Sequence, residues 1–133
     1  MKSDQEARAV AAFQRLPDLI ANDSDLLRLG RYLTIEFMVE IGSVPFYLSI
    51  DRGRLAAMER GPQLMRPWIF AVRGTEEAWS RFWQPIPEPG WHDIFALMKR
   101  QAVRVEGDLR PFMANLQYIK NLLAAPRRIF TEC

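Results

Sequence analysis

The stretch from Tyr32 to Met58, Y-L-T-I-E-F-M-V-E-I-G-S-V-P-F-Y-L-S-I-D-R-G-R-L-A-A-M, decides the fold. Ile35, Phe37, Val39 and Ile41 alternate with Thr34, Glu36, Met38 and Glu40. That is the period of two of a strand with one buried face. Gly42-Ser43-Val44-Pro45 interrupts the run, and Phe46, Leu48 and Ile50 resume it with Tyr47 and Ser49 between them. Asp51-Arg52-Gly53 is a turn, because Asp can bond its own backbone and Gly can take a positive φ. Leu55 to Met58 restarts the run. The pattern predicts an antiparallel meander with one apolar face, which the rest of the chain must cover.

Upstream, Ser3 to Leu29 reads as helical. Ala9, Val10, Phe13 and Leu16 form a stripe before Pro17, and Asn22-Asp23-Ser24-Asp25 offers caps for a second segment that Gly30 stops. Downstream, Trp68 to Val72 is a fourth strand with Trp68, Phe70 and Val72 on one face, closed by Arg73-Gly74. The connection before it, with Gly61, Pro62 and Pro67, is long for a hairpin and sends the strand to a non-adjacent place in the sheet. Thr75 caps a helix whose Trp79, Phe82 and Trp83 share one face. Gln84-Pro85-Ile86-Pro87-Glu88-Pro89-Gly90 is a stiff, extended connector. A helix over Trp91 to Arg100 carries Ile94, Phe95, Leu97 and Met98 on more than one face, as expected of a helix buried on most sides or lining a cavity. Ala102 to Glu106 is a fifth strand ended by Gly107-Asp108. The last helix enters through Pro111, carries Phe112, Leu116, Ile119 and Leu123 as a stripe, and stops at Pro126. The tail, 127–133, is expected to be loose.

The totals fit one domain: 133 residues, 49% hydrophobic and 26% charged. Net charge is +2, with basic residues interleaved among acids. Only Arg127-Arg128 forms a small basic cluster, so no nucleic-acid partner is expected. Cys133 is the single cysteine, which excludes an intrachain disulfide and suggests a reducing compartment. The first residues lack the apolar core of a signal peptide, and no run approaches the roughly 20 apolar residues of a membrane span. The expected location is cytoplasmic.

Signals for catalysis are poor. His92 is the single histidine, and no metal-ligand spacing surrounds it. His92 and Asp93 could be offered as an acid–base pair, but neighbouring side chains at a helix start point apart. Capping of the following helix is the favoured reading. Gly-rich phosphate loops, Gly-x-Ser-x-Gly and Cys-x-x-Cys are absent. No catalytic residue, metal or cofactor is therefore expected. Apolar bulk is the unusual feature: four Trp, eight Phe and six Met, with all four Trp between Trp68 and Trp91. Such residues either fill a core or line a cavity for ligands of varied shape.

In its order of elements the chain resembles the sterol carrier protein 2 family of lipid-binding domains. The residues that carry the likeness are F-M-V-E-I-G-S-V-P-F-Y-L-S-I-D-R-G-R-L (37–55), W-I-F-A-V-R-G-T-E-E-A-W (68–79) and V-R-V-E-G-D-L (103–109) ahead of the final helix. The likeness spans most of residues 32–125. It departs from the family over residues 82–93, which are bulkier and stiffened by proline. The resemblance implies an α+β fold, a five-stranded mixed, mainly antiparallel sheet with helices on one face, as a single domain over 1–133. It also implies an apolar tunnel for a sterol, fatty acid or acyl-CoA, and it does not imply catalysis. The expected walls are Phe37, Val39, Leu48, Trp79, Phe82, Trp83, Phe95, Met98, Phe112, Leu116 and Ile119. Two alternatives stand beside the carrier: an accessory domain with a filled core that binds an enzyme partner, and a small enzyme using His92 and Asp93.

Overall fold

The computed structural model describes residues 4–63 and 65–130. It opens with three short helices, α1 (Asp4–Gln14), α2 (Leu16–Ile20) and α3 (Ser24–Leu29). Pro17 sits in the first turn of α2, where its missing N–H costs nothing. Asp23 caps α3, its Oδ1 accepting from the N–H of Leu26 at 3.0 Å, and Gly30 ends it. The stripe Ala9, Val10, Phe13 and Leu16 is buried as the spacing requires. Ser3, the predicted first helical residue, lies outside the described residues.

The meander is present as read: β1 (Thr34–Ile41), β2 (Val44–Asp51) and β3 (Arg54–Arg60), antiparallel, with Phe37 opposite Leu48 and Val39 opposite Phe46. Two details differ. Pro45 lies inside β2 rather than in the break, and its carbonyl accepts from the N–H of Gly61 at 2.9 Å. At the second turn Arg52 takes a positive φ (52°) along with Gly53 (83°), a two-residue turn whose twist matches the strands it joins. The Asp51 side chain reaches across the ladder instead of to its own backbone, its Oδ1 accepting from Thr34 Oγ1 at 3.4 Å.

Strand β4 (Phe70–Gly74) runs parallel to β1, and β5 (Val103–Gly107) pairs antiparallel with β4. The order β3-β2-β1-β4-β5 is a five-stranded mixed sheet in an α+β fold, and β4 lands at the non-adjacent place that the long connection implied. That connection crosses the outer face of the sheet. Trp68 packs there with Met38, Tyr47 and Ala71, and does not share the face of Phe70 and Val72. The cause is a bend at Ile69, whose N–H bonds the Glu36 carbonyl at 2.9 Å before the strand begins. The period of two does not run back through a bend.

The remaining helices are α4 (Glu76–Phe82), α5 (Ile94–Lys99), α6 (Leu109–Ala114) and α7 (Leu116–Ala124), followed by a 3-10 turn at Ala125–Arg128. Helix α5 starts later than predicted because Asp93 is its cap, Oδ1 accepting from Phe95 N–H at 2.9 Å. The last helix is broken at Asn115, whose side chain donates to the carbonyl of Pro111 at 2.9 Å. The α-helix ends at Ala124, two residues ahead of Pro126, which sits in the 3-10 turn that follows. The tail is not loose as far as residue 130. Phe130 is buried against Trp83, and Arg127 and Arg128 bond backbone carbonyls. Cys133 lies outside the described residues. No helix among the described residues is long and apolar enough to cross a membrane.

Candidate functional site

Between the sheet and the helices lies one apolar layer. From the sheet come Phe37, Val39, Leu48 and Phe70, and from the helices Phe13, Trp79, Phe82, Trp83, Phe112 and Ile119. Their rings meet one another. Phe37 stacks on Phe70 with centroids 4.8 Å apart, and Phe70 meets Phe112 edge-on at 5.4 Å. Phe13 lies 6.1 Å from Trp83, and Trp79 and Trp83 are 5.2 Å apart. Both indole N–H groups are satisfied by backbone: Trp79 donates to the Glu40 carbonyl at 3.0 Å and Trp83 to the Leu123 carbonyl at 2.7 Å. These two bonds pin α4 to β1 and to α7.

Of the eleven predicted wall residues, eight are gathered in this layer and closed from solvent: Phe37, Val39, Leu48, Trp79, Phe82, Trp83, Phe112 and Ile119. The other three are at its rim. Phe95 is 38% exposed, and Met98 and Leu116 are half-buried against the layer. Helix α5 therefore has one buried side, carrying Ile94 and Leu97, and is not buried on most sides. One polar atom inside stands out: the Oγ of Ser80 in α4 is fully enclosed and has no hydrogen-bond partner. Sequence reading missed it, since a Ser within a helix ordinarily faces water.

The rim is held by ionic contacts. Asp93 pairs with Lys120 of α7 at 3.1 Å. Burial pushes its carboxyl up, but the N–H of Phe95, Lys120 and His92 outweigh this and hold it below the ordinary range. His92 is exposed, and its backbone carbonyl accepts from Arg127 at 3.3 Å. The Asp93 carboxylate is thus occupied as cap and ion pair, which is the favoured reading of this pair. Arg127 also donates twice to the carbonyl of Phe82, at 3.0 and 2.6 Å, closing the end of α4. The Pro-rich connector turns back on α4, Glu88 pairing with Arg81 at 3.0 Å, and the guanidinium groups of Arg81 (3.9 Å) and Arg100 (4.8 Å) lie over the Trp91 ring. Among the described residues no group of His, Cys, Asp and Glu is placed to hold a metal ion.

The outer face of the sheet is partly bare. Where the crossover leaves it, a groove of about 540 Å³ is lined by residues including Ile35, Glu36, Ser49, Ala56, Trp68 and Ile69. Farther along that face Glu40 is partly buried. It pairs with Arg73 at 3.2 Å, and Arg73 also bonds Glu106 at 2.8 Å, tying β1, β4 and β5.

No protein-family model matches the sequence, and no curated protein matches it. Solved structures do. A crystal structure of sterol carrier protein 2 superposes with a TM-score of 0.70 over 88% of this chain and 94% of the other, at 11% identity. A conserved hypothetical protein of Thermus thermophilus, described as possibly sterol carrier protein, gives 0.65 over 92% and 88% at 10% identity. The UbiJ-SCP2 ubiquinone synthesis protein gives 0.57 over 89% and 94% at 13% identity. The fold of this chain is that of sterol carrier protein 2 domains.

Proposed function

We propose that this chain, on its sterol carrier protein 2 fold, binds and carries an apolar ligand between sheet and helices and performs no chemistry on it. The ligand class is sterol, fatty acid or acyl-CoA, and the setting is the cytoplasm. The observation that carries the reading is the likeness to a solved sterol carrier protein 2 along nearly the whole chain. The make-up of the interlayer supports it, since large aromatics with Met98 at the rim repack around varied shapes. The walls are Phe37, Val39, Leu48, Trp79, Phe82, Trp83, Phe112 and Ile119, with Phe95, Met98 and Leu116 as the way in. Binding is driven by burial, about 0.8 kcal/mol for each CH₂ taken from water. Ser80 offers an enclosed hydroxyl with no protein partner for a ligand's polar group.

A second reading is favoured by the closure of the eight inner residues and their ring-to-ring contacts. On it the core is filled, and the chain is an accessory domain that engages an enzyme partner.

Native mass spectrometry of the purified protein, followed by organic extraction, separates the two. A stoichiometric lipid species is expected from carriage. A bare mass, with tryptophan emission unmoved by a panel of sterols and fatty acids, would sink it and leave the accessory domain. Loss of an assayed activity on His92→Ala would be needed to revive an enzyme.

A further inference from the structure

Along the sequence the basic residues look dispersed, but folding gathers four of them. Gly30 at the end of α3 lies against Gly53 of the β2–β3 turn, where an added Cβ would stand 2.9 Å from the Gly30 carbonyl carbon. This contact lays Arg28-Leu29-Gly30-Arg31-Tyr32 beside Arg52-Gly53-Arg54. The corner is rigid. Gly53 N–H donates to the Leu33 carbonyl at 3.1 Å, Tyr118 O–H to the Gly53 carbonyl at 2.6 Å, and Arg52 N–H to Thr34 Oγ1 at 3.3 Å. All four arginines are exposed. Arg28 pairs with Asp25 at 3.2 Å, whereas Arg31, Arg52 and Arg54 have no carboxylate partner among the described residues. Two large apolar groups stand out in the same corner: Tyr32 is 87% exposed and Leu29 42%. The Arg31 guanidinium lies 4.9 Å from the centroid of the Tyr32 ring.

We infer that this corner docks the protein on an anionic lipid surface. Arginines alone would suit any polyanion. A freely exposed tyrosine and leucine among them suit a headgroup layer, where an apolar body sinks to shallow depth and the charges meet phosphates. Each arginine near such a surface strengthens binding by about fivefold. The attraction decays within a Debye length of about 8 Å at physiological salt, so docking is reversible and salt-dependent. The inference goes beyond ligand carriage and does not need it.

The test is co-sedimentation of the full chain with phosphatidylcholine vesicles, with and without phosphatidylglycerol. Binding is expected with the anionic vesicles alone, weakening as salt rises. Arg52→Gln with Arg54→Gln should lower partitioning by about thirtyfold, and the single change Arg31→Gln by about fivefold. Tyr32→Ala with Leu29→Ala should weaken vesicle binding and leave retention on heparin unchanged. Equal binding to both vesicle types, or arginine variants that partition like the parent, would overturn the inference. So would retention on heparin without vesicle binding, which makes the corner a general polyanion site. Extracted ligand content is read separately, so failure here and failure of carriage are told apart.

Discussion

At the scale of single residues, the contact between Gly30 and Gly53 leaves no room for a side chain at either position. A Cβ on Gly30 would stand 2.4 Å from the Tyr118 ring and 2.9 Å from the Gly53 Cα. Gly30 has a negative φ, so an alanine there suffers overlap and no backbone strain. Gly30→Ala should cost about 2 kcal/mol, read as a lower urea midpoint at unchanged slope. Tyr118→Phe should cost about 1–2 kcal/mol, because it strands the Gly53 carbonyl in a buried place. The pair should be less than additive, since both changes loosen one contact. Ser80→Ala has the opposite sign. It removes an enclosed hydroxyl with no partner and puts a better helix former in α4, and should raise stability by about 1 kcal/mol. None of these three was legible in the sequence. Gly30 read as a helix stop and Gly53 as a turn, and both readings hold. What the chain pattern cannot express is that the two glycines face each other, because that depends on how α3 and α7 dock on the meander.

At the scale of elements, short helices hang on their caps. Asp23 begins α3 and Asp93 begins α5, each with a second bond to a cation, Arg128 for the first and Lys120 for the second. Asp→Ala at either position should cost about 1 kcal/mol in urea unfolding. The carboxyl of Asp23 is held below the ordinary range chiefly by the N–H of Leu26 and then by Arg128, and that of Asp93 is lowered too. Both therefore bind a proton more weakly in the folded chain than in the unfolded one. The stability they give is complete above about pH 4 and is lost as pH falls through the depressed folded values. Asp23→Asn with Asp93→Asn keeps cap acceptors and cannot titrate. Its urea midpoint should drop less on acidification than that of the parent protein. A steeper drop in the variant would contradict the assignment. Caps were legible because they are local: Thr75 caps α4 as the sequence suggested, accepting from the Ala78 N–H at 3.1 Å. Boundaries set by tertiary bonds were not. The bend at Ile69 answers to the Glu36 carbonyl, a partner the local pattern does not contain.

At the scale of the whole molecule, the meander pattern carried the sheet, and the long connection carried the crossover. The site was legible only in part. Alternation and helical spacing say that Phe37, Val39, Leu48 and Phe112 turn inward, and they do. They do not say whether the interior is hollow, because a tunnel and a packed core use the same residues and differ in the distance between layers. Rim and interior should separate on mutation. Phe112→Ala, in the interior, should cost about 3–5 kcal/mol. Phe95→Ala, on the rim, should change stability by less than about 1 kcal/mol and reduce lipid retained after extraction. Equal loss of stability at both positions would mean that Phe95 is no gateway. The contact between Trp79 and Trp83 has a consequence of another kind. Two indoles held at a fixed tilt and a short distance couple their electronic transitions, so the pair is expected to give a bisignate exciton band in circular dichroism. That band depends on their mutual angle. Anything that slid between them would erase it while the helices stayed intact, and the core would thereby report optically on its own occupancy.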